Sequence, residues 1–400
     1  MSESHTMDRA DLGIRSQFPG LLTGDGEPWH YLDSGATAQK PRVVIDAMAR
    51  ALGEDYATVH RGIYSRSAQM TLGYEAARRR VAAFIGGGED ELVFTRGATE
   101  AINLVAYSYP NKGRVLLSQL EHHSNIVPWQ LAGWQVDVCP LTEDGRIDLD
   151  AAEAMLTPEH EMVAFAHVSN VLGSVLDAKR AAELAHSVDA KLLLDGCPAA
   201  PRLPVDVEAI GCDFYAMSAH KMYGPTGIGA LWGRKELLEF MPPWQGGGSM
   251  IDKVTFAETT YAPPPQRFEA GTPAIAEALA FATACDFIED IGLDTIEAHE
   301  RSLVSQLREE LARIQGVRVF GPEDSLAIVS FELPGVHPHD LGTILDEENV
   351  AIRAGHHCCQ PLMDHLGVPG TARASFGVYS DESDIAALMR GIDRTLKIFA

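Results

Sequence analysis

A carboxylate and a lysine follow two neighbouring strands that the sequence predicts. Asp195 ends the apolar run Lys191–Asp195, and Lys221 comes shortly after the next run, Phe214–Ser218. A lysine amine can form a Schiff base with an aldehyde, and a carboxylate can keep a pyridine nitrogen protonated so that the ring withdraws electrons. Either residue alone is compatible with an ordinary solvated turn. Together, at one edge of a sheet, they predict a site for pyridoxal 5′-phosphate (PLP).

A junction between a predicted strand and a predicted helix supplies groups that can bind a phosphate. Gly97 lets the backbone come close to a ligand, and the N–H groups of Ala98 and Thr99 open the helix, where the dipole favours an anion. The Thr99 hydroxyl can donate as well, although an ordinary helix N-cap has the same pattern. Ser218 and His220, close to the lysine, offer further donors to the same phosphate.

Two adjacent histidines follow another predicted strand, Arg114–Ser118. His122 and His123 could in principle bind a metal, but neighbouring side chains diverge and no third ligand has a suitable spacing, so we predict no metal site. An imidazole that covers the cofactor ring and transfers protons near neutral pH suits His122 better.

The elements that must position these residues alternate along the chain. The apolar runs of strand length are Glu91–Thr95, Arg114–Ser118, Val136–Leu141, Met162–Val168, Lys191–Asp195, Phe214–Ser218 and Ile228–Gly233. Helix-like segments between them include Thr99–Tyr109, Asp148–Leu156 and Ala178–Ser187. This pattern predicts a mainly parallel sheet covered on both faces, with ligands at the carboxyl ends of its strands.

The pattern changes at about residue 290. A helical stripe of Leu303, Leu307, Leu311 and Ile314 is followed by strand-like runs at Val317–Phe320, Leu326–Leu333, Val350–Arg353 and Arg373–Val378. A final amphipathic helix carries Ile385, Leu388, Ile392 and Leu396. These elements predict a separate, smaller α+β domain.

Composition excludes several classes of protein. The 400 residues include 32 Lys and Arg and 56 Asp and Glu, which gives a formal net charge of −24. The sequence contains no block rich in Lys and Arg. Nucleic acid and anionic membrane surfaces are therefore not expected partners. No apolar run has transmembrane length and no signal peptide is recognisable. The six cysteines are sparse and mostly scattered, which favours reduced thiols and a cytoplasmic location.

Several motifs resemble those of one family. They are Tyr31-Leu-Asp-Ser-Gly-Ala36, Thr95-Arg-Gly-Ala-Thr-Glu100, Glu121-His-His-Ser-Asn-Ile-Val-Pro-Trp129, His167-Val-Ser-Asn170, Ser218-Ala-His-Lys221 and Arg353-Ala-Gly-His-His-Cys358. Their order resembles that of SufS-type (group II) cysteine desulfurases, in the class V aminotransferase family of fold-type I PLP enzymes. The resemblance implies an α/β fold with a mainly parallel seven-stranded sheet in a large PLP-binding domain and a smaller α+β C-terminal domain. It implies an N-terminal arm at 1–25 that packs with the small domain, a large domain at 26–290 and a small domain at 291–400.

The resemblance also implies a role for each site residue. Lys221 is the Schiff-base lysine, Asp195 the partner of the pyridine nitrogen, and His122 the stacking imidazole. The implied phosphate ligands are Ala98, Thr99, Ser218, His220 and, from the other subunit of a homodimer, Thr272. The implied substrate contacts are Arg373, which would grip the carboxylate, Asn170, which also lies near the cofactor O3′, and Ala36.

Cys358 is the residue that determines which PLP reaction we expect. After Lys221 removes the α-proton of cofactor-bound L-cysteine, a Cys358 thiolate can attack the substrate sulfur, which leaves a persulfide on the enzyme and releases L-alanine. The adjacent Cys359 is unusual for the family; it is either a packing residue, which we favour, or a second sulfur that accepts the persulfide. Pro198 is a departure too, because it stands where the family usually has a glutamine that donates toward O3′.

Three functions remain open on the sequence. The first is a desulfurase that passes sulfur to an acceptor protein of the SufE or SufU type and an iron–sulfur scaffold. The second is selenocysteine lysis or another class V PLP reaction, since selenium leaves more readily and does not require the thiol. The third is a non-catalytic PLP-binding interaction protein. Cys358 in its motif favours the first.

Overall fold

The structure is a computed structural model that describes residues 12–399. Its central feature is one seven-stranded sheet. The strands are β1 (Leu92–Thr95), β2 (Arg114–Ser118), β3 (Gln135–Cys139), β4 (His160–Ala166), β5 (Lys191–Asp195), β6 (Phe214–Ser218) and β7 (Gly229–Gly233), in the spatial order β1-β7-β6-β5-β4-β2-β3. The predicted α/β class with a seven-stranded sheet is confirmed, and each predicted strand is present within about two residues of its expected bounds.

Strand β7 runs antiparallel to both of its neighbours, β1 and β6, whereas the other adjacent pairs are parallel. The connection from Ser218 to Gly229 is the physical reason. It is too short for the dozen or more residues that a parallel crossover needs, so the chain turns back. The residues of β5, β6 and β7 are almost all buried, which explains their continuous apolar sequence.

Helices cover the sheet on both faces. They are Arg42–Gly53, Ser65–Phe84, Ala98–Ser108, Val127–Leu131, Leu149–Met155, Ala178–His186, Val207–Ile210, Lys235–Phe240 and Ile275–Ile291. Some of these helices begin at an N-cap residue that the sequence supplies. The Asp148 side chain accepts hydrogen bonds from the N–H groups of Asp150 and Ala151, and the Asp177 side chain caps Ala178–His186 in the same way. A short hairpin of Ile251–Val254 and Thr259–Tyr261 projects from this part.

The C-terminal part contains an antiparallel sheet of four strands. They are β8 (Arg318–Phe320), β9 (Ile328–Glu332), β10 (Arg353–Gly355) and β11 (Thr371–Ser375), in the order β8-β9-β11-β10. The helices here are Leu293–Ala312, Pro338–Asp346, Gln360–Leu366 and Glu382–Ile398. Leu303, Leu307 and Leu311 pack into the core under this sheet, as the helical stripe indicated. The predicted strand Val350–Arg353 is divided in two, because Val350–Ala351 pairs with His30–Tyr31 and Arg353 begins β10.

The predicted N-terminal arm is described only from residue 12 onward; residues 1–11 of that prediction lie outside the described residues. Arg15 donates to Asp384 at 2.8 Å, and Phe18 packs edge-on against Tyr379 with ring centroids 4.8 Å apart. The boundaries of the arm and of the two domains stay predictions. Within residues 12–399, no helix combines the length and the apolar character needed to span a bilayer.

Candidate active site

A cavity of about 270 Å³ opens at the carboxyl ends of β4, β5 and β6. It is lined by Ala36, Ala98, Thr99, His122, Asn170, Asp195, Ser218, His220, Lys221, Cys358 and Arg373, together with Gly35, Ser124, Ala166, Val168, Cys197, Pro198, Arg353 and His357. The structure thus brings together every predicted site residue except Thr272. These residues come from segments far apart in the sequence, and the sheet edge is what assembles them.

One end of the cavity has the character of an anion site. The helix Ala98–Ser108 begins here, and the Ala98 N–H donates to the Ser218 hydroxyl oxygen at 2.9 Å. The Ser218 hydroxyl, whose oxygen accepts this bond, also lines the cavity. Thr99 and Ser124 add two hydroxyl groups, 2.9 Å apart. A phosphate at this place would meet a helix N-terminus and three hydroxyl groups.

Two glycines allow this junction to lie against the sheet. Gly97 has φ +154°, a conformation that favours glycine. A Cβ on Gly229 of β7 would lie 2.3 Å from the Met217 carbonyl oxygen and 2.6 Å from the Gly97 Cα. The close approach of the loop to the sheet therefore requires glycine at position 229.

The buried carboxylate of Asp195 lies at the end of β5 and is 6% exposed. One of its oxygens accepts a hydrogen bond from the Cys197 N–H at 3.0 Å. Lys221 stands on the short turn Ala219–Lys221 that follows β6, and its side chain lines the same cavity. A buried carboxylate opposite a lysine provides a partner for a protonated ring nitrogen and an amine for an aldehyde.

His122 is held as a neutral imidazole. Burial, and then the charge of Lys221, lower the pKa of His122 to about 4. Its Nδ1 accepts the Ser124 N–H at 3.1 Å and lies 2.8 Å from the Ser124 hydroxyl, so the ring proton belongs on Nε2. A neutral, fixed imidazole suits a ring that covers an aromatic cofactor.

Cys358 is exposed, whereas the other five cysteines are buried. Its backbone and that of His357 both take the left-handed conformation, with φ +57° and +52°. Each such residue costs on the order of 1 kcal/mol, so the surrounding contacts must hold the turn. The Asn170 side chain donates to the His357 carbonyl at 3.0 Å, and the His123 N–H donates to the Cys358 carbonyl at 2.7 Å.

His123 makes a second contact with the same segment, which sequence reasoning missed. Its Nε2 accepts the N–H of Gln360, the first residue of the next helix, at 3.1 Å. Burial and the nearby His356 lower the pKa of His123, which keeps this nitrogen available as an acceptor. The adjacency of His123 to His122 was the only signal in the sequence.

Cys359 lies in the core, not in the cavity. Its thiol is buried, and burial raises its pKa to about 12. The sulfur donates to the Asn170 amide oxygen at 3.2 Å. These facts favour the interpretation of Cys359 as a packing residue over that of a second sulfur acceptor.

Thr272 lies apart from this cavity. It lines a second cavity of about 680 Å³ together with Leu52, Tyr56 and Trp244. Because the sequence assigned Thr272 to the site of another subunit, its role stays a prediction. In the part of the chain from residue 12 to residue 399, no three His, Cys, Asp or Glu side chains form a group that could hold a metal ion.

The residues of the cavity fit PLP. The helix N-terminus and hydroxyl groups match the phosphate, Lys221 matches the aldehyde, and Asp195 matches the ring nitrogen. The match to PLP therefore follows from the hydrogen-bonding and charged groups that line the cavity in this chain.

The comparisons with known proteins place the chain in a family. The model of the aminotransferase class-V family matches residues 30–388. The chain belongs to this family of fold-type I PLP enzymes, and the predicted membership of the class V aminotransferase family is confirmed.

Particular relatives are similar over almost the whole chain. A probable cysteine desulfurase of Halalkalibacterium halodurans is 45% identical, with 96% of this chain and 98% of the relative covered. A cysteine desulfurase of Dickeya dadantii is 44% identical, with 98% and 97% covered. The crystal structure of the Escherichia coli cysteine desulfurase CsdA, in an S-sulfonic acid form, is 38% identical with a TM-score of 0.91, and the match covers 98% of this chain and 99% of that one.

Proposed function

We propose that this protein is a PLP-dependent cysteine desulfurase that takes the sulfur of L-cysteine onto Cys358 and releases L-alanine. One observation carries the proposal: Cys358, the exposed member of the six cysteines, lies at the same cavity as Lys221, Asp195 and Arg373. The full-length similarity to cysteine desulfurases supports it.

Different residues of the cavity would bind different parts of the cofactor. Lys221 would hold the cofactor through its amine, Asp195 would hold the ring nitrogen, and the neutral His122 would cover the ring. The phosphate would lie against Ala98, Thr99, Ser218 and His220 at the helix N-terminus. When bound, PLP withdraws electrons from the substrate Cα, which makes the α-proton acidic.

Lys221 Nζ would accept that proton, and Cys358 would complete the transfer. A bond forms between the Cys358 sulfur and the substrate sulfur, while the bond between the substrate sulfur and its Cβ breaks. The carbon fragment gains protons and leaves as alanine. The exposed sulfur of Cys358 is the nucleophile in this scheme, and the buried Cys359 thiol, with its pKa raised to about 12 by burial, takes no part.

Substrate binding would use Arg373, Asn170 and Ala36. Arg373 is fully buried and lines the cavity, and a planar guanidinium matches a carboxylate in two hydrogen bonds.

A homodimer and a sulfur-acceptor protein of the SufE or SufU type belong to the same proposal. The position of Thr272 outside the cavity of its own chain supports a site completed by a second copy. The exposure of Cys358 supports delivery of the persulfide sulfur to an acceptor and, through it, to an iron–sulfur scaffold. A cytoplasmic location fits these partners.

The test is incubation of the PLP-loaded protein with L-cysteine, with and without a reductant. We expect L-alanine in every turnover, sulfide when the reductant is present, and one extra sulfur on the peptide that carries Cys358 by mass spectrometry. Cys358→Ser should retain the cofactor and lose persulfide formation at least about a hundredfold. Cys285→Ala, which removes a buried thiol of the helix Ile275–Ile291, is the matched control and should keep full activity.

Undiminished alanine formation by Cys358→Ser would remove Cys358 from the mechanism. L-selenocysteine provides the second arm. If Cys358→Ser still releases alanine from L-selenocysteine while wild type shows no activity on L-cysteine, the protein is a selenocysteine lyase instead.

A further inference from the structure

A single carboxylate, that of Asp33, bridges two arginines at the cavity. Its oxygens accept from Arg353 Nη2 at 2.8 Å and Nε at 3.1 Å, and from Arg373 Nη2 at 3.1 Å. The side chains of Arg373, Asp33 and Arg353 are 3%, 13% and 46% exposed, so the bridge extends from the protein interior to the surface. Both arginines line the cavity.

The two arginines are direct neighbours across the small sheet. Arg353 of β10 pairs with Arg373 of β11 in the register of these strands. Like charges that face each other in this way repel and destabilise the pair. Asp33, which arrives from outside the sheet and lies beside Ser375, provides the negative charge that allows them to stay together.

Two different partners hold the guanidinium of Arg373. Nη1 donates to the Asn170 carbonyl at 2.8 Å and Nη2 donates to Asp33. Nε is buried and has no hydrogen-bond partner among the described residues. Since a buried guanidinium N–H without a partner is costly, Nε is a donor available to a bound carboxylate.

We propose that Asp33 is a positioning residue for the carboxylate of the substrate: it fixes the guanidinium of Arg373 so that the free Nε donor meets that carboxylate. The inference rests on the proposed function, which assigns the substrate carboxylate to Arg373. Through Arg353, Asp33 also anchors β10, whose end at Gly355 precedes Cys358 by three residues. One carboxylate thus sets the positions of both the substrate anchor and the nucleophile segment.

The experiment compares L-cysteine with cysteamine, which has the same amine and thiol and no carboxylate. Both ligands are titrated into PLP-loaded protein and followed by the absorbance of the cofactor, and KM and kcat are measured for L-cysteine. For Asp33→Asn we expect the KM and the apparent Kd for L-cysteine to rise by about tenfold or more. A tenfold change corresponds to the lower limit of what a hydrogen bond to a charged group contributes. The apparent Kd for cysteamine and the cofactor content should stay unchanged.

A double-mutant cycle separates positioning from a general structural effect. Arg373→Met alone should raise the KM for L-cysteine, and Asp33→Asn in that background should raise it no further. Asp33→Glu, which keeps the charge on a longer side chain, should give an intermediate KM and provides the test if Asp33→Asn does not fold. Glu347→Gln, an exposed partner of Arg394, is the matched control and should change nothing.

Three results would each overturn the proposal. They are an L-cysteine Kd that is unchanged in Asp33→Asn, an equal loss of affinity for L-cysteine and cysteamine, and additivity of Asp33→Asn with Arg373→Met. The absorbance titrations do not require turnover. A wild-type protein that binds L-cysteine without forming alanine would therefore contradict the proposed function. The absorbance titrations of the Asp33 variants would still decide the role of Asp33.

Discussion

Cys358 and Cys359 show how differently two adjacent residues of one type can be placed. The turn at His357 and Cys358 directs one sulfur to solvent and leaves the other in the core. The exposed thiol is accessible to a reaction partner, while burial raises the pKa of Cys359 to about 12 and keeps it protonated. The chemistry of the site therefore depends on a backbone conformation as much as on the residue types.

Native thiol alkylation should follow this difference. Iodoacetamide at pH 8 should modify one of the six cysteines, and peptide mass spectrometry should locate the label on Cys358, because the other five are buried. Cys358→Ser should take up no label within the same time. All six thiols should react in guanidinium chloride. Fast native labelling of Cys359 would mean that the turn opens and that the second thiol is accessible.

At the scale of single residues, the sequence predicted which side chains belong to the site better than it predicted their partners. Most of the eleven that line the cavity follow strands in short motifs, and strand ends can be located from the sequence. The Asp33 bridge could not be predicted in this way. It joins Asp33 to Arg353 and Arg373, which lie 320 and 340 positions further along the chain. No local sequence pattern encodes such a contact.

The elements at the sheet edge are joined by a buried acid, Glu121. Its carboxyl oxygens accept from the Ser118 hydroxyl at 2.6 Å, the Asn125 side chain at 2.8 Å and the Ala166 N–H at 3.0 Å. Ser118 ends β2, Asn125 ends the turn His123–Asn125, and Ala166 ends β4. Glu121 thus connects two strands to the segment that carries the two histidines, a link that the motif alone did not reveal.

Burial raises the pKa of Glu121 to about 7, from 4.5 for a free glutamate. A raised pKa in the folded state favours the protonated acid, so its stabilising contribution is present below pH 4.5 and is lost as the pH rises to about 7. Glu121→Gln has no such titration. The free energy of unfolding of the variant, relative to wild type, should therefore increase by about 3 kcal/mol between pH 4.5 and pH 8.

Urea unfolding of the cofactor-free proteins at a series of pH values measures this change. Glu347→Gln, an exposed replacement of the same type, is the control and should follow the wild-type profile. A difference between Glu121→Gln and wild type that is constant with pH would show that Glu121 does not titrate in this range.

The sequence predicted the elements themselves closely but not all of their directions. Helix caps and continuous apolar runs are local signals, so the strands of the large sheet could be bounded from them. The reversal of β7 and the division of Val350–Arg353 between two sheets depend on connection length and on a distant strand, His30–Tyr31. Such features are decided by packing and not by local preference.

At the scale of the whole molecule, a buried ion pair joins the part of the chain around the large sheet to the C-terminal part. Arg202 Nε lies 2.9 Å from a carboxylate oxygen of Glu300, and the two side chains are 3% and 0% exposed. The same guanidinium donates to the Pro198 carbonyl at 2.9 Å and the Phe376 carbonyl at 3.2 Å. The cavity wall at Pro198, where the family usually has glutamine, is therefore held by its backbone from across the molecule.

Loss of this pair should be costly. Arg202→Met leaves the Glu300 carboxylate buried without its cation, which should lower the free energy of unfolding by roughly 3–5 kcal/mol. Arg394→Met, which breaks an exposed pair with Glu348, is the matched control and should cost about 1 kcal/mol or less. Denaturant unfolding measures both. Equal losses for the two variants would show that Arg202 does not join the two parts of the molecule as the contacts indicate.

The cavity is lined by residues from position 35 to position 373 of the chain. A chain that is still being translated therefore has no complete site, even when the whole seven-stranded sheet, which ends at Gly233, has already left the ribosome. The lysine and the buried carboxylate are synthesised before the arginine and the reactive cysteine. Two groups that would hold PLP therefore precede, in the order of synthesis, the groups that would carry out the sulfur chemistry, which are complete only when the last strand of the small sheet has been added.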